Sequence, residues 1–541
     1  MIKTEKKLSY KVFSVIVLIL GVVSPFYLMH YGINFSDEPY QIMNAMDYLQ
    51  NPSTILSAYI YNLIGKCCGF SLLSMRTITV IISIVTLFIP ILYFYNKHRN
   101  IWDTICVGGM ALFFMSAIQL KTILVGWDIL SNLFIALSTI IMLFIVKGRK
   151  LIVGYLLLGV FVALAILSRF PNAVLIPIVM CVICVNNETI NIKLKYSILF
   201  FISMCITMYL VIIYIYVDIN SYIIAWQEWG VSNGHEFIGL LKIYIKDIIP
   251  YICFMGIIIM AYLSLYLLIQ IGGNLRYSKG RYLVMVFWIS LFLLILYQYE
   301  HLNIMTNNLY TSLYLLIMLY ILYKNLIGEN SKIVKKILLV VFLCSIVPAV
   351  GSNTGWFKMA NISSIIYLLT LFLPYITKII KDTLIILLVT LFVFFPYNKI
   401  KKLFNDEGLS KTTALLDVPF LNGIYTTDEN KELLNYVYEK ERNSTTNDVL
   451  FVGFGRQMFE YILDCRAHYA RHDFFGILED EKYISSTKKY LDRISTIKRV
   501  YVINRSHLYY NTPMDDMLNE IGFKLIKREY CYREYERTNV Q

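Results

Sequence analysis

Asn34-Phe35-Ser36-Asp37-Glu38-Pro39-Tyr40 decides how this chain is read, because of what stands before it. Residues 12–30 form an apolar run long enough to cross the hydrocarbon core of a bilayer. Lys3, Lys6 and Lys7 precede the run, and its end, Ser24-Pro25-Phe26-Tyr27, offers no small-x-small cleavage site. It therefore reads as a retained anchor. Two adjacent carboxylates, Asp37 and Glu38, then fall within a few residues of the membrane surface. Pro39 suits the first turn of a helix. Ile42, Met43, Met46 and Leu49 share one face of that helix, with Gln41, Asn44 and Asp47 largely opposite. The spacing predicts a short amphipathic helix lying in the interface, with Asp37 at its positive N-terminal end. Capping by Ser36 or Asp37 is the plainer use of the same residues.

The composition extends this reading to the whole chain. Of 541 residues, 58% are hydrophobic, 15% aromatic and only 16% charged, and the mean hydropathy is +0.61. A soluble domain is roughly a quarter charged and just under half apolar, so a soluble, disordered, collagenous or coiled-coil chain is excluded. Thirteen candidate spans follow, at 12–30, 72–95, 101–119, 128–146, 151–168, 172–185, 196–217, 247–271, 282–297, 309–323, 337–350, 362–377 and 383–397. The short ones, 172–185 and 337–350, are expected to be tilted or broken. Lys and Arg gather in alternate loops, such as Lys97 and Arg99, Lys147 to Lys150, and Arg276 to Arg281. By the positive-inside rule those loops and the N-terminus are cytoplasmic. The net charge of +13 is thereby a matter of topology, and no nucleic-acid partner is expected.

From residue 398 charged residues become frequent and apolar runs shrink to strand length. Glu429–Lys440, Arg456–Leu463, Tyr483–Ile494 and Met514–Ile521 read as helices. Asp448–Phe454, Lys498–Asn504 and Phe523–Tyr530 read as strands. The expectation is a membrane domain over 1–397 and a small α/β domain over 398–541, placed outside by the odd number of spans. Six cysteines, among them Cys106 and Cys344, lie in apolar runs as small hydrophobes. Cys465 and Cys531 form either one bridge or two free thiols. Gly453-Phe454-Gly455 follows a strand but lacks the third glycine of a dinucleotide fingerprint.

Four further stretches carry candidate chemistry. Gln119-Leu120-Lys121-Thr122-Ile123-Leu124-Val125-Gly126-Trp127-Asp128 puts Asp128 at the start of a span on the same side as Asp37, with Lys121 in the same loop. Ser168-Arg169-Phe170-Pro171-Asn172 places Arg169 at a proline break, where a guanidinium suits bidentate phosphate contact. Either residue has a plain alternative, helix capping for Asp128 and a turn for Arg169. The turn Gly351-Ser352-Asn353-Thr354-Gly355 offers backbone N–H groups to an anion. The loop 218–246 holds Trp226, Glu228, Trp229, His235 and Glu236, and reads first as an aromatic belt.

These features together resemble the GT-C superfamily of polytopic glycosyltransferases, and within it the aminoarabinose transferase and protein O-mannosyltransferase branch. The acidic pair Asp37-Glu38 after the first span, the basic residue preceding an Asp in Leu120–Asp128, the many spans and the terminal soluble domain carry the resemblance. It implies a sugar moved from a polyprenyl-phosphate donor to a glycan, lipid or protein acceptor on the extracytoplasmic face. Asp37 matches the catalytic carboxylate, with Glu38 beside it and Asp128 as the second acidic position. Lys121 matches the basic residue before it, and Arg169 joins it as an expected donor-phosphate contact.

The chemistry follows from the residues as well. A carboxylate orients a weakly nucleophilic hydroxyl and accepts its proton. Lys121, Arg169 or a divalent cation such as Mg or Mn neutralises the leaving phosphate, and no protein metal ligand set is expected. One base and a direct displacement imply inversion. The competing readings are a transporter or flippase of lipid-linked sugars, and a polysaccharide polymerase or ligase. The Ile- and Lys-rich style fits a bacterial inner or plasma membrane.

Overall fold

The structure is a computed structural model and describes residues 2–98, 100–118, 125–126, 128–148, 152–186, 189–229, 242, 244–246, 332–351, 402–403, 406–445, 447–464, 478–504, 512–529 and 532–538. The expected spans at 247–271, 282–297, 309–323, 362–377 and 383–397 lie outside these residues. So do Lys121, His235, Glu236, Cys465, Cys531 and the turn residues 352–358.

Up to residue 351 the described chain is helical. It comprises α1 (Ile2–Leu28), α2 (Asp37–Met46), α3 (Ile55–Cys68), α4 (Leu72–His98), α5 (Ile101–Ile118), α6 (Asp128–Val146), α7 (Ile152–Ser168), α8 (Leu175–Asn186), α9 (Ile190–Tyr216), α10 (Ile219–Trp229) and α11 (Lys332–Ile346). Leu8–Leu28, Leu72–Tyr93, Asp128–Val146 and Ile190–Tyr216 are long and apolar enough to cross a membrane. Along α9, Leu194, Ile198, Ile202, Ile206 and Leu210 are exposed, as on a helix whose solvent is lipid. The chain is an integral membrane protein. The expected break near 172 is present: a 3-10 turn over Phe170–Val174, opened by Pro171, separates α7 from α8.

Without a hydrophobic drive between helices in lipid, close approach depends on small residues. A Cβ on Gly21 of α1 would stand 2.3 Å from the Gly109 carbonyl oxygen of α5, and one on Gly109 would stand 2.5 Å from the Leu18 nitrogen. Only glycine lets these two backbones meet. Helices α6 to α9 and α11 enclose a core that includes Met142, Leu158, Val162, Phe200 and Val341.

The C-terminal region is α/β. Two short pairs, β1 (Lys402–Leu403) with β2 (Asp406–Glu407) and β3 (Ala414–Leu415) with β4 (Tyr425–Thr426), precede α12 (Asp428–Glu441). Then come β5 (Val449–Phe454), α13 (Arg456–Ile462), α14 (Glu481–Arg493), β6 (Arg499–Asn504), α15 (Pro513–Glu520), β7 (Phe523–Arg528) and β8 (Tyr532–Arg537). The larger sheet runs β5-β6-β8-β7, with β5 and β6 parallel and β8 antiparallel to both neighbours. Side chains alternate across it with the strand period of two. Leu450, Val452, Val500 and Val502 face α14 and α15, while Val449, Phe451, Tyr501 and Ile503 face the other way.

That second face makes one core with α12, α13 and the first outer loop, whose Ile33, Phe35, Ile42 and Met43 are all buried in it. The sequence pattern placed α2 on the lipid surface. Instead it is packed between α3, α4 and α13, and its polar-face Asn44 is as buried as Met43. Protein covers the side that hydropathy assigned to water.

Candidate active site

The ends of α1, α7, α9 and α11 and the starts of α4 and α6 meet on one face of the bundle. α3 lies across them. Its Ser57 hydroxyl donates to the Ser168 carbonyl at the end of α7 (3.1 Å), and the Tyr461 hydroxyl of α13 donates to Phe70, just past its other end (2.6 Å). Tyr216 at the end of α9 donates to Leu49 (2.8 Å). Asp37, Glu38, Asp128 and Arg169 are therefore gathered at a single end of the molecule, on the side that carries the C-terminal domain.

The two adjacent carboxylates have different surroundings. Asn34, not Ser36 or Asp37, caps α2: its Oδ1 accepts from the amides of Ser36 (3.0 Å) and Asp37 (3.1 Å) and from the Ser36 hydroxyl (3.1 Å). Asp37 is relieved of capping. It is half-buried, and among the described residues nothing donates to its carboxylate. Glu38 is fully buried and engaged on both oxygens. Arg76 of α4 forks onto it, Nε to Oε1 at 2.8 Å and Nη2 to Oε2 at 2.5 Å. The Val125 amide adds 3.3 Å to Oε1, tying the second outer loop to the first. Arg76 also donates to the carbonyls of Met29 (2.8 Å) and Gly32 (2.9 Å). Glu38, expected beside Asp37 as a catalytic carboxylate, is thus the buried half of an ion pair that staples the loop. Its negative charge is felt nearby, since burial and then Glu38 push the Tyr461 phenol up.

Asp128 and Arg169 come together. Arg169 Nε stands 3.3 Å from Asp128 Oδ1 at the start of α6. The Arg169 terminal nitrogens donate to the carbonyls of Pro348 (3.2 Å) and Val350 (2.8 Å) beyond α11. The guanidinium is 4% exposed. The guanidinium of Arg169, the expected donor-phosphate contact, joins three helix ends. Asn172 secures the same turn by donating to Ser131 (2.7 Å) and Ala165 (2.8 Å). Gly351, the first residue of the expected anion-cradling turn, packs on Pro171. Its φ is +70°, and a Cβ there would lie 2.6 Å from the proline ring. Trp226 meets Phe170 edge-on, with centroids 5.2 Å apart, as a belt residue would.

Sequence reasoning passed over Asn34, Arg76 and Asp406. Arg76 had a signal: an ionisable residue inside an apolar helix is almost always paired. Among the described residues no three His, Cys, Asp or Glu side chains stand together as a metal site.

No protein-family profile matches the chain, and no curated protein matches it. Several solved structures are similar to it. The Archaeoglobus fulgidus oligosaccharyltransferase, in complex with Zn and sulfate, shares 11% identity over 91% of this chain and 68% of its own, with a TM-score of 0.48. The archaeal oligosaccharyltransferase AglB from the same organism, with an inhibitory peptide and a dolichol-phosphate, shares 9% over 92% of this chain and 70% of its own, with a TM-score of 0.46. ArnT from Cupriavidus metallidurans in the apo state shares 10% over 99% of this chain and 98% of its own, with a TM-score of 0.43.

Proposed function

We propose that the chain is a membrane glycosyltransferase that moves a sugar from a polyprenyl-phosphate donor to an acceptor hydroxyl at the extracytoplasmic face. The observation that carries this reading is the contrast at the mouth of the bundle. Glu38 and Asp128 are both held by arginines, while the neighbouring Asp37 carboxylate is left without a donor among the described residues. An unengaged carboxylate fixed at the membrane edge is what a lipid-borne substrate and a hydroxyl nucleophile require.

In this reading Asp37 accepts a hydrogen bond from the acceptor hydroxyl and takes its proton as the new C1–O bond forms. The bond from C1 to the phosphate oxygen breaks with its electron pair on the phosphate. The products are a glycosylated acceptor, inverted at C1, and polyprenyl phosphate. Lys121 is assigned the leaving phosphate, because Arg169 is committed elsewhere. Asp128 and Arg169 hold the second loop, and Glu38 and Arg76 the first. The domain division at 397 and 398 is retained in this proposal, with 398–541 roofing the site.

The test is sugar release from a panel of radiolabelled polyprenyl-phosphate sugars by the purified protein and by Asp37→Asn. Turnover by the parent, lost in a folded variant, is the expected result. Binding or flipping of the carrier by both proteins with no turnover would move the assignment to a transporter.

A further inference from the structure

We infer that Asp406, in the C-terminal domain, is a positioning residue for Asp37. This rests on the reading of Asp37 given above and extends it to a residue 373 positions away from the loop it touches.

Asp406 is buried, and its two oxygens face opposite tasks. Oδ2 accepts from the Ile33 amide at 3.0 Å, four residues before Asp37, and from the Thr426 hydroxyl at 2.7 Å. Oδ1 accepts from the Asn430 side chain at 3.0 Å and from the Glu407 amide at 2.9 Å. One end of the carboxylate is thus fastened within its own domain and the other holds the first outer loop. The loop passes this restraint on. Ile33 precedes Asn34, and Asn34 Oδ1 receives the Asp37 amide. The line from Asp406 to the start of α2 is two hydrogen bonds and one peptide bond long.

Flanking main-chain contacts show that the loop is treated as part of the C-terminal domain. Tyr31 pairs with Tyr425 of β4, with Gly32 N to Tyr425 O at 2.8 Å and Tyr425 N to His30 O at 2.7 Å. Met458 N of α13 donates to Phe35 O at 3.1 Å. Within 30–35 two charged side chains hold the main chain: Asp406 accepts from the Ile33 amide, and Arg76 of α4 donates to the Gly32 carbonyl at 2.9 Å. A charged acceptor forms a stronger and shorter-range restraint than a neutral one. On the opposite side Arg76 holds Glu38. The Asp37 segment is therefore gripped at Ile33 from the C-terminal domain and at Glu38 from α4. Misplacing a reacting group by about 1 Å costs up to about a hundredfold in rate, so this grip is a catalytic requirement.

The experiment uses the full chain in detergent. Hydrogen exchange is followed over residues 30–38, and turnover with the best donor of the panel is followed in parallel. Asp406→Ala is expected to speed exchange in 30–38 and to lower kcat about ten- to hundredfold, with donor KM unchanged. The exchanged pair Asp406→Asn with Asn430→Asp presents an oxygen to Ile33 again and is expected to recover both. Tyr535→Phe, which removes a 2.6 Å bond to Asp515 on the far face of the sheet, lowers stability and should move neither readout. If Asp406→Ala does not fold, Asp406→Leu, which offers Ile33 no acceptor, carries the exchange measurement with the same expected rise. Unchanged exchange in 30–38, or an equal kcat loss in Tyr535→Phe, overturns the proposal. Equal turnover by parent and Asp37→Asn overturns the role given to Asp37 instead, and the exchange result still decides whether Asp406 sets the loop.

Discussion

Two junctions at the end of the bundle that carries the C-terminal domain are built from the same parts and differ in tightness. At one, Arg76 holds Glu38 and the carbonyls of Met29 and Gly32; at the other, Arg169 holds Asp128 and the carbonyls of Pro348 and Val350. The first pair is a fork with both partners at 1% exposure or less. The second is a single 3.3 Å contact to an aspartate 30% exposed. A planar guanidinium with five donors suits both, since it closes a carboxylate and two chain ends at once. The difference lies in what each leaves over. Beside the tight junction, Asp37 has no donor to its carboxylate among the described residues. The looser one keeps its own carboxylate at the edge of solvent, 30% exposed.

The sharpest way to break this comparison is to treat Asp37 and Glu38 as equals. Asp37→Asn is expected to lower sugar transfer by about a hundredfold or more while the melting temperature holds, because among the described residues no donor to its carboxylate is lost. Arg76→Ala should do the reverse. It strands Glu38 in the interior and is expected to destabilise the protein by about 3 to 5 kcal/mol, read as a fall in the denaturation midpoint. A smaller effect separates the second junction from the donor. Arg169→Lys loses the fork and should cost about 1 to 3 kcal/mol, with the donor KM unmoved. A raised donor KM at full stability would restore Arg169 to the phosphate.

The smallest effect is far from both junctions. The Thr445 hydroxyl (2.7 Å) and amide (3.0 Å) donate to Asp448 and hold its carboxyl below the usual range. A depressed carboxylate contributes stability above its unfolded value, near about pH 4, and loses it as the pH falls through the lower folded value. Thr445→Ala is expected to shift the acid limb of the stability curve slightly upward in pH, as followed by thermal melting across pH 3 to 6.

Helix boundaries in the membrane part were legible because hydropathy acts locally. The span expected at 128–146 is α6 to the residue, and 151–168 is α7 to within one. In the C-terminal domain β5, β6 and β7 and helices α12 to α15 were legible from their periods. Strand β8 was not. It reads Tyr-Arg-Glu-Tyr-Glu-Arg, and Arg533 and Glu534 are buried only because Asp515 and Lys440 meet them from other elements. The same limit applies to the site. The adjacency of Asp37 and Glu38 announced a functional loop, but their division of labour is set by Arg76 and Asn34. A side chain 38 positions away takes one carboxylate, and a cap three positions away spares the other.

The shared core of residues 33–43 and the β5–β6 face has a consequence for biosynthesis. The first outer loop leaves the membrane early, and its partner Asp406 is made 373 residues later. At roughly 5 to 20 residues per second, the loop waits on the order of half a minute for its hydrogen-bond acceptor. Over that interval the core around Ile33 and Phe35 lacks Leu416, Phe451 and Phe459, and the Ile33 amide lacks its charged acceptor. A chain whose synthesis stops before the C-terminal domain therefore carries every helix of the described bundle and a slack first loop. Completion of translation itself supplies the last restraint on that loop.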